Sequence, residues 1–428
     1  MRRLDAAFPV EAILNVLVAT DQSADRSAHS ERSQMTIEIT NSRETTYQAA
    51  RAVAATIEAH FARHIAAARE RGEEQLAPNP DRAAIEAIID ATFWASLRRE
   101  EGRSPKISLA FFPHEQVPQP LIFERPLPLN PGVLTKLGPA VERPGIHLGV
   151  ARDASLPRRI GGGELQVWGA TRKVPSYCFV LEVIEPGLLV IKHRRLDGFG
   201  KFANVAVLKG EEVKIVDEHG ASLPDCPGLL TALLPFTSPG SWDHKFNLHV
   251  QLAASMRAHG HGGSLLVVPS GTETWRRSIV HPILYSVTPP FSALAELMRQ
   301  EVNETNENML DAAVRRSVDT VAGLTAVDGA TVINDQYQVL AFGAKIRRPE
   351  GGAPVEEMVA TEPVVGDRPA LIHPAQNGGT RHLSAAQFVH DQRDAIALVA
   401  SQDGRFTVFA WSPCENMVHA HRVDTLLL

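Results

Sequence analysis

The apolar residues of this chain change their period along its length, and that change limits the possible folds more than any single residue does. Across residues 44–71, in "TTYQAARAVAATIEAHFARHIAAARER", they recur at helical spacing. Tyr47, Val53, Ile57, Phe61 and Ile65 form one stripe, which predicts a long helix. "APNPD" at 77–81 breaks it, and Asp81 is placed to cap a second helix running through Leu97. "SPKISLAFF" at 104–112 reads as a strand. Residues 113–164 are rich in Pro and Gly and read as loops and short strands. From 165 to 216 the pattern turns to β, with turn signals in "EPG" at 185–187 and "KGEE" at 209–212. A helix is expected at 245–259, with Phe246, Val250, Ala253 and Ala254 inward, then the buried strand "SLLVVPS". Two helices follow, in "FSALAELMRQEV" and in "LDAAVRRSVDTVAGLT", where Leu310, Val314, Val318 and Val321 align. The strand pair "VDGATVI" and "QVLAFGAKI", a helix starting near Ser384 and two more strands complete the order.

This order predicts an α/β protein: an α+β N-terminal module, then a C-terminal mixed β-sheet flanked by helices. At 428 residues the chain has room for both. The polar stretch "DQSADRSAHSERSQ" ends a disordered extension over 1–34, and an orderly pattern opens at Met35. The first module is assigned to 35–235 and the second to 240–428, with "FTSPGSWD" at 236–243 between them.

Composition excludes some functions. The net charge of −6, from 43 Lys+Arg against 49 Asp+Glu, argues against a broad nucleic-acid surface. No apolar run reaches transmembrane length, so no membrane partner is expected. Cys178, Cys226 and Cys414 lie far apart in no ligand spacing, as in a reduced, cytoplasmic protein. Seventeen histidines include "HGH" at 259–261 and "HAH" at 419–421, both read as surface pairs lacking a third ligand. "KHRR" at 192–195 reads as a solvated strand end. There is no Gly-Lys-Ser/Thr phosphate loop and no Gly-x-Ser-x-Gly elbow.

Two short segments carry chemistry. In "VDGATVI" the carboxylate of Asp328 stands at a strand start, followed by Gly329 and Ala330, whose small size leaves space against the backbone. Such a carboxylate can hold Mg²⁺ or Mn²⁺ through oxygen. In "NGGTRHLSAA", Gly378 and Gly379 free the backbone, Thr380 offers a hydroxyl and Arg381 offers forked donors for phosphate oxygens. A helix start just beyond favours an anion. Each segment alone reads better as a turn or cap Asp and as a loop with a surface Arg; their order and strand-to-helix setting shift the balance. Together they suit a nucleoside triphosphate with its metal.

The paired segments resemble the diadenylate cyclase family, which combines an Asp-Gly-Ala motif with a later Gly-Thr-Arg-His-Arg motif. Here they stand as "DGA" at 328–330 and "GTRHL" at 379–383, and "DAIALVASQDGRFTVF" at 394–409 resembles the family's next strand pair. The resemblance covers residues 240–428. The N-terminal half is similar in arrangement to the DACNV type of sensor module found ahead of such cyclases. The resemblance implies synthesis of cyclic di-AMP and pyrophosphate from two ATP, controlled by an unknown signal ligand at the N-terminal module. It implies that Asp328 binds the metal and activates the ribose 3′-hydroxyl. It also implies that Gly329 and Ala330 line the nucleotide, and that Gly379, Thr380, Arg381 and His382 hold the phosphates. Ser401, in the family's polar turn (here Ser401-Gln402-Asp403 in place of Ser-Glu-Glu), is implied to contact the nucleotide as well. A face-to-face homodimer or larger homo-oligomer is implied, because one chain carries one copy of each motif. Leu383 replaces the family's second Arg, and residues 347–367 form an insert between the motifs. The alternative reading is a catalytically silent nucleotide-binding sensor.

Overall fold

The computed structural model describes residues 46–152, 164–195, 202–218, 220–224, 226–229, 248–300 and 307–428. The extension over 1–34, Met35, Phe246 and the boundary at 236–243 lie outside them. The protein is mixed α/β, and its described strands fall into two mixed sheets.

The first sheet follows two helices, α1 (Gln48–Glu70) and α2 (Arg82–Ser96). The predicted stripe on α1 is buried throughout: Tyr47, Val53, Ile57, Phe61 and Ile65 all face the core. Asp81 caps α2 as expected, its Oδ1 accepting from the Ala84 amide at 2.8 Å. The strands are β1 (Ser108–Phe111), β2 (Leu121–Pro128), β3 (His147–Arg152), β4 (Leu165–Thr171), β5 (Phe179–Glu185), β6 (Leu188–Arg194), β7 (Phe202–Lys209) and β8 (Glu212–Ile215). Their spatial order is β2-β4-β3-β1-β5-β6-β7-β8, with β1 and β3 parallel. The Pro/Gly-rich segment holds a helix that the composition concealed, α3 (Pro131–Leu137). Asn130 caps it by accepting from the Val133 amide at 2.9 Å, and Pro131 stands at its start.

The second half opens with α4 (Leu248–Ala258). Val250 and Ala253 are buried as expected, but Ala254 faces solvent, and Leu252 and Met256 fill the inner face instead. Then come β9 (Gly263–Val268), β10 (Tyr285–Phe291), α5 (Ala293–Met298), α6 (Glu307–Leu324), β11 (Ala330–Asn334), β12 (Val339–Ala344), β13 (Met358–Thr361) and β14 (Ala370–Ile372). The chain closes with α7 (Thr380–Asp391), β15 (Ile396–Ala400), β16 (Phe406–Ser412), β17 (Met417–Arg422) and α8 (Asp424–Leu427). The sheet order is β10-β12-β11-β9-β15-β16-β17-β13-β14. Leu310, Val314, Val318 and Val321 of α6 pack with α4 against one face. Ala385, Ala386, Phe388 and Val389 of α7 cover the other. The apparent insert at 347–367 supplies β13, which pairs in parallel with β17.

The two sheets meet along a short seam. Val216 bridges Val364, the Asp217 amide donates to the Pro363 carbonyl at 2.9 Å, and the Lys214 ammonium lies 2.8 Å from a Glu362 oxygen. Asn204 of β7 also donates to the Thr425 carbonyl at 2.9 Å. Among the described residues no helix is long and apolar enough to cross a membrane.

Candidate functional site

Strand direction gathers the candidate residues at one end of the second sheet. β9 and β11 run parallel, so Gly263 and Ala330 begin their strands at the same end. β15 and β12 run against them, so Ala400 and Ala344 end there. Asp328, the β15–β16 turn and the start of α7 thus share one edge, although Asp328 and Arg381 are far apart in sequence.

Two glycines fix the turn that presents Asp328. Gly329 has φ +120°, and a Cβ there would lie 2.4 Å from the Gly343 carbonyl carbon. Gly343 in turn has φ +60° and lies under the Tyr285 ring, 2.8 Å from where its Cβ would be. Tyr285 stacks on Phe342 with ring centroids 4.7 Å apart. The Asp328 side chain is 91% exposed and ion-paired with Lys345. That hydrogen bond and charge, with a smaller contribution from Arg381, hold the Asp328 carboxyl below its ordinary value. Ala330 turns its methyl group into the core and can face a ligand only through its backbone.

The second segment differs from expectation in one respect. α7 starts at Thr380, not near Ser384, so Thr380, Arg381 and His382 form its first turn and Gly379 is its N-cap. The helix start with its unsatisfied amides and positive dipole end therefore coincides with the motif itself. Gly379 and Thr380 are exposed and Arg381 is half-buried. The guanidinium lies across Gly262, where a Cβ would stand 3.1 Å from Arg381 Nη1 and 3.2 Å from the Ala400 carbonyl oxygen. Ser401 opens the adjoining turn, its amide donating to the Arg405 carbonyl at 2.9 Å. Burial raises the Asp403 carboxyl, but hydrogen bonds from Ser401 and the Arg405 amide outweigh it and leave it below the usual value.

His382 is placed differently from its neighbours. Its ring is buried edge-on to Phe409, with centroids 6.0 Å apart, and its Nδ1 faces Gly378. Burial pushes its pKa down to about 4. The implied phosphate contact would need this neutral ring to leave the core. Leu383 is exposed on the same turn.

Three partners at this edge were missed by sequence reasoning: Lys345, Gly262 and the Tyr285–Phe342 pair. Lys345 was accessible in principle, because the β11–β12 hairpin pairs Ala330 with Ala344 and so brings positions 328 and 345 together. The edge is open, and a cavity of about 530 Å³ lies instead at the opposite end of the sheet, lined by Val268, Trp275, Arg277 and Arg393 among others.

The histidine motifs divide. His261 of "HGH" is exposed, as expected. Both histidines of "HAH" are buried instead, because β17 lies inside the sheet; His421 contacts the Thr361 hydroxyl at 2.5 Å and His419 contacts Glu415 at 2.8 Å. "KHRR" is no solvated strand end either. His193 is buried, Lys192 pairs with Glu182 at 2.6 Å, and Arg194 donates to the Val174 carbonyl.

No curated protein matches the chain. A solved structure described as a hypothetical membrane spanning protein from Bacillus cereus aligns over 40% of this chain and 59% of that one. Its identity is 14% and its TM-score 0.22, too low to bear on fold or function. The chain spans less than two thirds of that structure's length. Residues 74–172, which run from the approach to α2 through β4, match the family described as "Probable sensor domain DACNV", a domain found in diadenylate cyclase proteins.

Proposed function

We propose that the Asp328–Arg381 edge binds ATP and condenses two ATP into cyclic di-AMP and pyrophosphate, under control of the N-terminal half. The observation that carries this reading is the convergence of an exposed carboxylate, a forked cation and a helix N-terminus on one glycine-lined sheet edge. The DACNV match adds that the N-terminal half contains a sensor type found with such enzymes.

The chain's own groups divide the work. The Arg381 guanidinium and the Thr380 and Arg381 amides at the start of α7 bind phosphate oxygens. Gly329 and Gly343 pack against each other and under Tyr285, which fixes the turn that presents Asp328 to the nucleotide. Asp328 accepts the proton of the ribose 3′-hydroxyl as its oxygen attacks the α-phosphorus of the second ATP. The bond from that phosphorus to the pyrophosphate oxygen breaks, and the second link closes in the same way. Positioning supplies much of the rate. A Mg²⁺ or Mn²⁺ ion fits the donor set, because such ions take one or two carboxylates and complete their shell from phosphates and water. Asp328 would hold such an ion, which would neutralise phosphate charge.

The reading requires a second copy of the chain facing this edge. The exposure of Tyr285 at 42% and Phe291 at 41% on the edge strand β10, and of Leu284 at 76% just before it, supports that requirement. A second reading, a catalytically silent nucleotide-binding sensor, is favoured by one observation. Of residues 381–383, only Arg381 presents a donor toward solvent, since His382 is buried and Leu383 has none.

Incubating pure protein with ATP and Mn²⁺ or Mg²⁺, and identifying products by mass, tests the proposal. Cyclic di-AMP is the expected product. Binding without turnover selects the silent sensor, and absence of both binding and product overturns both readings.

A further inference from the structure

A cluster of imidazoles lies in the first half of the chain, away from the Asp328 edge. His60 and His64 stand one turn apart on α1 and leave the same face of the helix. His193 comes from β6, and Glu218 from the segment after β8. Glu218 Oε1 pairs with His60 Nδ1, and its Oε2 lies 2.7 Å from His64 Nε2. On the far side of the His60 ring, Nε2 lies 2.9 Å from His193 Nδ1. One ligand atom from each of His60, His64 and Glu218 lies within 4.8 Å of the other two. That span suits a single ion with bonds of roughly 2.0–2.2 Å to nitrogen and oxygen. Among the described residues no other group of three or more His, Cys, Asp or Glu does this.

Two imidazoles converging on one carboxylate form a ligand set that a divalent metal takes.

We propose that His60, His64 and Glu218 bind one divalent first-row transition ion of the zinc type, with His193 as the outer partner that orients His60. Two imidazoles and one carboxylate select this class over Mg²⁺ and Ca²⁺, which take oxygen. With the ion on Nδ1 of His60, the Nε2–H of that ring donates to His193 Nδ1, the usual way a ligating imidazole is held. The side chains of His64 and Glu218 keep 22% and 15% of their exposure, which leaves an approach for the ion and room for water or a small ligand as a further donor. Arg63 reaches Glu218 at 3.4 Å from the solvent side, and at 58% exposure it is free to turn away. Tyr177 covers His64 with ring centroids 5.8 Å apart. Glu218 is the residue after Asp217, whose amide joins the two sheets at Pro363, so the site lies beside the seam. The site goes beyond the nucleotide reading and stands independently of it.

The test uses the full chain, stripped with a chelator and dialysed against Zn²⁺, with bound metal and thermal midpoint measured. Wild type is expected to retain one equivalent and to melt at a higher temperature with zinc. Co²⁺ in its place should give visible absorption of a nitrogen- and oxygen-ligated ion. Glu218→Gln, which keeps size and a hydrogen-bonding end, and His64→Ala should each weaken zinc binding by at least ~100-fold. His193→Ala should weaken it ~10–100-fold without changing the stoichiometry. The double variant His259→Ala, His261→Ala should retain the equivalent, which separates this site from the exposed pair. A wild-type chain that retains no zinc overturns the proposal whatever the variants do, and leaves the four residues as a hydrogen-bonded network. Zinc retained equally by folded Glu218→Gln and His64→Ala also overturns it.

Discussion

Lys345 holds the carboxylate of Asp328 in an ion pair at the open end of the second sheet. The pair ties the end of β12 to the turn that precedes β11, and both side chains are more than half exposed. Little of the fold therefore depends on it, whereas the proposed reaction depends on the Asp328 charge. Asp328→Asn is expected to lower turnover by at least ~10²-fold, the scale of losing a positioned catalytic group. Its thermal midpoint should stay that of wild type. Near-normal turnover in the Asn variant removes Asp328 from the mechanism.

Arg381 offers its fork across Gly262, beside the exposed start of α7. Arg381→Ala is expected to weaken ATP binding by roughly 1.5–3 kcal/mol, the range for a hydrogen bond to a charged group. Arg381→Lys should recover part of that loss, since an ammonium lacks the planar fork. Calorimetry showing unchanged ATP affinity for Arg381→Ala would rule out the phosphate role.

The sequence reveals those parts of the fold in which one local rule acts alone. The stripe from Tyr47 to Ile65 and the Asp81 cap need only helical periodicity and one side chain, and both are present. β10 was hidden because Pro289 and Pro290 argue against a strand, and the structure accommodates them on the sheet edge, where proline is tolerated. α3 was hidden by the Pro and Gly around it, although Asn130-Pro131 is a cap followed by a first-turn proline. β13 has the sequence of an insert because its partner β17 lies far along the chain. The same limit applies to side chains. Nothing local says that His382 turns inward while Arg381 stays out, since that depends on where the sheet lies. His60 and His64 were legible as an i, i+4 pair on a helix, but Glu218 and His193 reach them only through the fold.

The buried His382 and His421 and the half-buried His249 should make the protein sensitive to acid. Burial sets His249 and His382 at about 4 and His421 at about 3. In the unfolded chain an imidazole titrates near ~6.5. Below that pH the unfolded state binds protons that the folded state refuses. Stability is therefore complete above pH ~6.5 and falls as the pH drops toward these depressed values. At pH 5 each histidine should cost about 2 kcal/mol relative to neutral pH, at ~1.36 kcal/mol per unit. The three together are comparable to a folding margin of ~5–15 kcal/mol. Urea unfolding at pH 7.5 and pH 5 measures the loss, and His382→Phe should flatten the slope by one share. Equal stability at the two pH values contradicts the assignment.

Cys226 and Cys414 stand with their sulfurs 2.8 Å apart, although the sequence separates them widely. Neither is part of a disulfide, and the Cys414 hydrogen bond lowers Cys226 to about 7. A thiolate is therefore available near neutral pH beside an exposed partner. Treatment with diamide should form the Cys226–Cys414 disulfide; the two thiols lose two protons and two electrons, and diamide is reduced to the hydrazine. Cys178 is buried in the first sheet and should remain free. Non-reducing peptide mapping that finds both Cys226 and Cys414 still open to alkylation contradicts this.

The exposed edge strand makes the last expectation quantitative in enzyme concentration. A cyclic dinucleotide has two links, each joining the 3′-oxygen of one nucleotide to the phosphorus of the other. One Asp328 and one Arg381 serve one ATP, so two copies related by a two-fold axis are needed for both attacks. Tyr285 and Phe291 lie on β10, Leu284 lies just before it, and their exposure gives such a contact apolar area. With weak association, specific activity should rise with protein concentration and then level off. Excess Asp328→Asn chain should poison wild type, because a mixed pair makes only one link efficiently. Leu284→Asp, which places a charge on the edge without touching the core, should move the rise to higher concentration and leave the thermal midpoint unchanged. Light scattering run beside product assays decides the matter, and a strict monomer making cyclic di-AMP at a concentration-independent specific rate would refute the two-copy arrangement.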